Sequence, residues 1–223
     1  MAVTEENPLV QGLERLPVHP TTLVIFGATG DLAHRKLLPA IYNLAHEGAL
    51  PESFNLIGVS RSEMSDDEYR KVAREAIQQY SRRKPDEQVL SKLLEHVRYV
   101  AGTFDVDPVF ERLKDELGTF DEEAGIAFNR IFYLATAPNF FAGIVKKLGD
   151  HGLDKHEEAD VRVVIEKPFG TRLKEAHELN NELLSVLHES QIFRIDHYLG
   201  KEMVSRSVRL HVVQFTSPCL WDL

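Results

Sequence analysis

A short apolar strand, a glycine turn and a helix follow one another near the start of the chain, and this order most constrains the fold. Residues 22–26 are rich in β-forming side chains, and Gly27 and Gly30 mark the turn that follows them. A helical pattern begins at Asp31, with apolar residues at helical spacing. Strand–turn–helix units of this kind are typical of parallel sheets that are covered by helices.

Strand and helix patterns alternate along the rest of the chain. The predicted strands lie at residues 55–59, 130–135, 161–165 and 192–195, and the predicted helices at 64–81, 139–150 and 173–189. Ser65 and Glu68 have the spacing of a capping box at the start of the first of these helices. Repeated βα units favour a parallel sheet with helices on both faces, so we predict an α/β fold with a doubly wound parallel sheet.

Composition narrows the class of protein. The chain has 223 residues, of which 43% are hydrophobic, and a formal net charge of -9, which argues against nucleic-acid binding. A phosphorylated ligand is not excluded, because the local placement of Arg and Lys decides that. No apolar run is long enough to span a bilayer, no signal-peptide pattern is present, and the single cysteine, Cys219, excludes an intramolecular disulfide framework. We predict a cytoplasmic protein with no membrane partner and no metal site.

The turn after the first strand has the residues that a phosphate-binding loop needs. Gly27 permits a backbone conformation that other residues resist, and Gly30 lets the main chain approach a diphosphate closely. The N–H groups at the start of the next helix would then be available to the anion. The spacing is not G-x-G-x-x-G, and no Gly-Lys-Ser/Thr sequence follows, which argues against a P-loop hydrolase. A dinucleotide site is favoured, and an ordinary tight turn is the alternative.

The end of the second predicted strand indicates which dinucleotide would bind. An NAD site usually carries Asp or Glu there for the ribose 2′-hydroxyl, whereas this chain has Arg61 between Ser60 and Ser62. An arginine flanked by serines suits a 2′-phosphate, so NADP is favoured over NAD. The alternative is that Arg61 is a solvated loop cation.

Lys167 follows the strand predicted at residues 161–165 and precedes Pro168. In an open α/β sheet, ligands bind beyond the carboxyl ends of the strands, so Lys167 is expected to point into the ligand crevice. Pro168 restricts Lys167 to an extended conformation, which would help to fix its position. The alternative is an ordinary loop that carries a surface lysine.

The segment 194–202 concentrates charged and titratable side chains. It holds two acids, two cations, a histidine and a tyrosine within nine residues. His197 and Lys201 can bind phosphate oxygens, and Asp196 can orient a base. This grouping favours a site that handles an anion and a proton together. The alternative is a strand end with exposed polar groups.

Three motifs in this order resemble those of glucose-6-phosphate dehydrogenase. They are the Gly-Ala-Thr-Gly-Asp-Leu-Ala turn at 27–33 with Arg35 and Lys36, the Glu-Lys-Pro-Phe-Gly segment at 166–170, and the Arg-Ile-Asp-His-Tyr-Leu-Gly-Lys-Glu segment at 194–202. The last motif is highly specific for that family. The resemblance implies oxidation of glucose 6-phosphate at C1 to 6-phosphoglucono-lactone, with hydride transfer to NADP, in the oxidative pentose phosphate pathway.

The resemblance also implies roles for individual residues. His197, Tyr198 and Lys201 would hold the sugar phosphate, and Lys36 would add positive charge nearby. Asp196 would hydrogen-bond the catalytic base and stabilise its protonated form. Lys167 would lie between the coenzyme and the sugar. The implied coenzyme-binding residues are Gly27, Thr29, Gly30, Asp31, Leu32, Arg61 and Lys167.

Composition and the resemblance together divide the chain into three predicted parts. Residues 1–20 are predicted to be a flexible lead-in, 21–202 an NADP-binding Rossmann-like domain, and 203–223 a divergent tail that is disordered or poorly packed. In the family, the general base is a histidine in a second α+β domain, beyond the part that this chain resembles, and His211 does not match its motif. The alternative to an active dehydrogenase is therefore a truncated, non-catalytic NADP-binding fragment. Full-length relatives form homo-oligomers, and the sequence leaves this open here.

Overall fold

A six-stranded parallel sheet forms the centre of the structure. The computed structural model describes residues 19–169 and 172–195. The strands are β1 (Thr21–Phe26), β2 (Phe54–Ser60), β3 (Val97–Ala101), β4 (Asn129–Leu134), β5 (Val161–Glu166) and β6 (Ile192–Ile195). Every pair of neighbouring strands is parallel, and the order across the sheet is β3-β2-β1-β4-β5-β6. The predicted doubly wound, Rossmann-like sheet is confirmed.

Helices cover both faces of the sheet. They are α1 (Leu38–His46), α2 (Asp66–Tyr80), α3 (Glu87–Glu95), α4 (Asp107–Ala124), α5 (Phe141–Asp150) and α6 (Leu173–Leu184). A π-helical turn (Ala33–Leu37) precedes α1, and 3-10 turns lie at Pro138–Phe140 and Glu189–Gln191. Helices α1 to α3 pack on one face and α4 to α6 on the other. Within the described ranges, no helix is both long and apolar enough to cross a membrane.

Strand β1 contributes to two separate hydrophobic cores. Val24 and Phe26 pack with buried residues of α4 and α5, whereas Ile25 packs with buried residues of α1 and α2. This division follows from the strand conformation, in which successive side chains point to opposite faces. All three side chains are fully buried. Strand β1 is therefore covered on both faces, as expected for the central strand of a parallel sheet.

Most predicted elements are found within two residues of their predicted bounds, including the helix that the capping box begins. The Ser65 hydroxyl accepts a hydrogen bond from the Glu68 N–H at 3.3 Å, and the Glu68 carboxylate accepts one from the Ser65 N–H at 2.8 Å. These bonds to Ser65 lower the pKa of Glu68. The start of α2, and with it the end of the loop after β2, is therefore held by local hydrogen bonds.

The predicted helix over residues 173–189 is too long, since α6 ends at Leu184. The Ser185 hydroxyl donates a hydrogen bond to the Glu182 carbonyl at 2.6 Å. Val186 then packs so closely on Gly149 of α5 that a Cβ at Gly149 would lie 2.6 Å from a Val186 methyl group. Tertiary packing therefore ends the helix before its sequence pattern does.

Three elements lie outside the sequence-based prediction, namely α3, β3 and α4. Helix α3 begins after Asp86, whose carboxylate accepts hydrogen bonds from the N–H groups of Gln88 and Val89. His96 alone separates α3 from β3, so the two apolar patterns run together in the sequence. Helix α4 begins with Asp107 and Pro108, a favoured helix start.

Replacing Ser65 with alanine should lower the free energy of unfolding by about 0.5–2 kcal/mol, because α2 loses its N-terminal hydrogen-bond acceptor. Ser91→Ala is the matched control, since Ser91 lies inside α3, where alanine is the better helix former. Urea unfolding followed by circular dichroism measures both changes. Equal destabilisation by the two substitutions would contradict a role for the capping box.

Candidate functional site

The carboxyl ends of the parallel strands lie along one edge of the sheet, and the strand order reverses between β1 and β4. Ligands of open α/β sheets bind in the crevice at such a reversal. The turn after β1 carries Gly27 to Leu32, the loop after β2 carries Arg61, and the end of β5 is followed by Lys167. The fold therefore brings these predicted site residues to one edge of the sheet.

Gly27 brings the main chain of the turn against the end of β4. Its φ is +86°, and a Cβ at this position would lie 2.4 Å from the Ala135 carbonyl oxygen. On the other side, the N–H groups of Gly27 and Ala28 donate to the Val59 carbonyl at 2.8 and 3.2 Å. The turn is thus fixed between the ends of β2 and β4, where only glycine fits.

Main-chain N–H groups of the turn could hold an anion at this edge of the sheet. Within the described part of the chain, the N–H groups of Thr29, Asp31 and Leu32 make no backbone hydrogen bond. Unpaired N–H groups at the start of a helix are common ligands of phosphate oxygens. Gly30 adds no side chain beside them, and a Cβ there would lie 3.1 Å from the Gly27 carbonyl oxygen.

Charged side chains follow the turn along the first helical segment. The Asp31 carboxylate lies 2.8 Å from the Arg35 guanidinium, and both side chains are exposed. The Arg35 guanidinium also lies 5.6 Å from the centre of the Tyr80 ring. Lys36 is exposed on the same π-helical turn. Because Arg35 offsets the charge of Asp31, Lys36 leaves this segment net positive beside the proposed anion site.

Arg61 is exposed at the first position after β2. The residue before it, Ser60, is buried, and its hydroxyl is 2.7 Å from the Thr29 hydroxyl. This hydrogen bond joins the end of β2 to the glycine turn. After Arg61, the Ser62 carbonyl accepts a hydrogen bond from the Tyr99 hydroxyl at 2.6 Å. The loop that carries Arg61 is therefore anchored on both sides, next to the turn.

A buried carboxylate lies at the end of β5. Glu166 is 3% exposed and accepts a hydrogen bond from the Tyr133 hydroxyl of β4. Burial, reinforced by Glu166, raises the pKa of Tyr133 well above its usual range. The Tyr133 hydroxyl therefore keeps its proton at neutral pH and acts as the donor. This bond joins the ends of β4 and β5 directly before Lys167.

Lys167 follows Glu166 and has an exposed side chain. Its N–H donates to the Ile195 carbonyl at 3.3 Å, and its peptide bond to Pro168 is cis. Ile195 ends β6 and directly precedes Asp196 in the sequence. The second motif therefore lies beside the start of the third. The predicted substrate and catalytic residues of the third motif lie outside the described residues: Asp196, His197, Tyr198 and Lys201.

Tyr99 and Tyr133 donate hydrogen bonds to residues next to Arg61 and Lys167, and the sequence alone did not predict these two bonds. Tyr99 reaches the Arg61 loop from β3, and Tyr133 reaches Glu166 from the adjacent strand. The apolar pattern around each tyrosine predicts burial, and a buried hydroxyl requires a partner. The pattern does not say which partner, because each bond joins residues more than thirty positions apart.

Gly27→Ala should destabilise the fold by about 1–3 kcal/mol more than Gly48→Ala, because the Cβ added at position 27 also collides with the Ala135 carbonyl. Gly48 is the matched control: its φ is +63°, and a Cβ there would meet nothing within 4 Å. Both variants bear the strain of a positive φ, so the difference isolates the collision. Equal unfolding midpoints in urea would show that the turn can move away from β4.

Comparison with known proteins identifies the family. The model of the glucose-6-phosphate dehydrogenase NAD-binding domain matches residues 24–206. Glucose-6-phosphate 1-dehydrogenase 2 of Mycobacterium bovis is 40% identical, and the alignment covers 99% of this chain and 44% of that protein. The enzyme of Leuconostoc mesenteroides is 38% identical over 85% of this chain and 38% of its own length. The chain thus spans less than half of these curated relatives.

Solved structures agree with this result. A glucose-6-phosphate dehydrogenase in complex with its substrate glucose-6-phosphate superposes with a TM-score of 0.75 at 34% identity, covering 89% of this chain and 41% of that one. Glucose-6-phosphate 1-dehydrogenase of Mycobacterium avium gives a TM-score of 0.71 at 35% identity, with 84% and 38% covered. The predicted coenzyme, NADP, is the one that this family uses. The chain therefore belongs to the glucose-6-phosphate dehydrogenase family and contains its dinucleotide-binding domain.

Proposed function

We propose that this chain binds NADP at the carboxyl edge of its sheet and serves as the coenzyme-binding part of a dehydrogenase for glucose 6-phosphate. The Gly27 turn is the observation that carries the proposal, since it is fixed between β2 and β4 and has N–H groups that make no backbone hydrogen bond to any described residue. Gly27, Thr29, Gly30, Asp31 and Leu32 would hold the diphosphate through the main chain. Bound NADP would supply the hydride acceptor.

Arg61 would select NADP over NAD. It is exposed at the end of β2, the position at which dinucleotide-binding folds contact the adenine ribose. Its guanidinium can bind the 2′-phosphate through two parallel hydrogen bonds. The Ser60–Thr29 hydrogen bond supports this role, because it keeps the start of the Arg61 loop close to the diphosphate turn.

The substrate would bind on the β5 and β6 side of the crevice. Lys167 would contact both the coenzyme and the sugar, and Lys36 would add positive charge. His197, Tyr198 and Lys201 would bind the 6-phosphate, and Asp196 would orient the catalytic base. The hydrogen bond between the Lys167 N–H and the Ile195 carbonyl supports this assignment, because it joins the two segments at neighbouring strand ends.

Coenzyme binding without turnover is the second candidate function for the 223 residues alone. The observation that favours it is that the matching family model describes the NAD-binding domain. The family resemblance implies a histidine base outside the matched part. A general base contributes roughly a hundredfold to ten-thousandfold to a reaction rate. The two candidates therefore share the coenzyme site and differ in catalysis.

Arg61→Ala should lower the ratio of NADP affinity to NAD affinity by about ten- to hundredfold, because a charge-assisted contact with the 2′-phosphate is lost. Arg83→Ala is the matched control, since Arg83 is exposed beyond the far end of the 15-residue helix α2. Calorimetric titration of the 223-residue chain with each coenzyme measures the ratio. Equal ratios in both variants and the parent would exclude Arg61 as the selector.

In the assay of NADP reduction with glucose 6-phosphate, we expect the 223-residue chain alone to show turnover at background while it still binds NADP. The reason is that the family's histidine base lies outside the matched part, and a carboxylate such as Asp196 is too weak a base to replace it. A full-length relative serves as the positive control. Turnover within about tenfold of that relative would contradict the expectation, since a missing base costs more.

A further inference from the structure

We infer that Tyr99 is a positioning residue for coenzyme selectivity, because its hydroxyl holds the loop that presents Arg61 to the 2′-phosphate. The inference rests on the proposed NADP-binding function and extends it to a residue on the edge strand β3. Tyr99 would not touch the coenzyme in this role. It would act through the main chain of the loop.

The hydrogen bond from Tyr99 reaches the loop directly after Arg61. Tyr99 is 2% exposed, and its hydroxyl oxygen lies 2.6 Å from the Ser62 carbonyl oxygen and 3.3 Å from that of Ser60. The hydroxyl has one proton, so the shorter contact to Ser62 is the principal bond. The Ser60 carbonyl already accepts a hydrogen bond from the Gly102 N–H at 2.9 Å. Among the described residues, the Ser62 carbonyl accepts a hydrogen bond from the Tyr99 hydroxyl alone.

The position of the Tyr99 ring does not depend on its hydroxyl. The ring packs against the Tyr69 ring with 4.8 Å between centroids, and the Tyr99 N–H donates to the Asp66 carboxylate at 2.7 Å. Asp66 is the first residue of α2, and Arg98 lies 3.5 Å from the same carboxylate. Burial raises the pKa of Tyr99, so the hydroxyl remains a donor at neutral pH. A fixed ring thus presents a donor to a short loop.

Selectivity follows from what the two coenzymes can contact. Only Arg61 to Met64 lie between the end of β2 and the Ser65 cap of α2, so one bond to Ser62 restrains much of the loop. NADP carries the 2′-phosphate that Arg61 would bind, whereas NAD lacks it. Releasing the loop would increase the entropy that Arg61 loses on binding. NADP affinity should then fall, and NAD affinity should stay the same.

Tyr69 offers a matched control in the same cluster. Its hydroxyl is fully buried and has no hydrogen-bond partner in the part of the chain that the structure describes. Tyr69→Phe and Tyr99→Phe therefore remove the same atom from two rings that are in contact. Only the second substitution removes a bond to the Arg61 loop.

The test is calorimetric titration of the full 223-residue chain with NADP and with NAD. Tyr99→Phe should lower the NADP-to-NAD affinity ratio by about two- to tenfold, the effect of one hydrogen bond, while Tyr69→Phe leaves it unchanged. In an Arg61→Ala background, Tyr99→Phe should lower the ratio no further, since Tyr99 acts through Arg61. Without coenzyme, trypsin should cleave after Arg61 faster in Tyr99→Phe than in Tyr69→Phe.

Several results would overturn the inference. If Arg61→Ala abolishes the preference for NADP but Tyr99→Phe leaves the NADP-to-NAD affinity ratio unchanged, the inference about Tyr99 is refuted. The proposed function would remain intact. An unchanged ratio in Arg61→Ala would refute the selectivity assigned to both residues. Two further results would show that the Tyr99 hydroxyl serves the fold and not the loop. One is an equal loss of affinity for NADP and NAD in Tyr99→Phe. The other is a circular dichroism spectrum in which Tyr99→Phe, but not Tyr69→Phe, is unfolded.

Discussion

The close contact between the Gly27 turn and the end of β4 is the constraint on which the rest of the site depends. Strand β1 pairs with β2 on one side and with β4 on the other, so its carboxyl end lies between two neighbouring strand ends. Only a residue without Cβ can turn there, because the Ala135 carbonyl occupies the space. The same turn directs the chain into the first helix, and the unpaired N–H groups follow from that geometry.

This arrangement explains how an acidic chain can be suited to anionic ligands. The formal net charge is -9, yet the proposed diphosphate contacts come from main-chain N–H groups and need no cationic side chain. Screening at physiological salt limits the reach of exposed charges to about 8 Å, so distant carboxylates have little effect on the site. Arg61 and Lys167 would then supply local positive charge from the neighbouring strand ends.

Sequence patterns predicted the central strands, the glycine turn and the position of Arg61, because each depends on residues close together in the chain. They did not predict β3, whose apolar residues follow α3 after one intervening histidine. They also placed the end of α6 too late, because the close packing of Val186 on Gly149 is a tertiary contact that the helical pattern does not record. The partner of the Tyr99 hydroxyl lies 37 residues away in the sequence. Only the completed sheet brings the Tyr99 hydroxyl and the Ser62 carbonyl together, and no local sequence pattern records that contact.

The sheet order also bears on how this chain folds as it is synthesised. Strand β1 pairs with β4, and the partners Thr21 and Asn129 are 108 positions apart (129 minus 21). Translation at about 5–20 residues per second takes roughly 5–20 s to cover that distance. During this interval, one edge of an apolar strand remains unpaired, and such edges promote association between chains. The central position of β1 therefore leaves the nascent chain open to association through that edge until β4 has been synthesised.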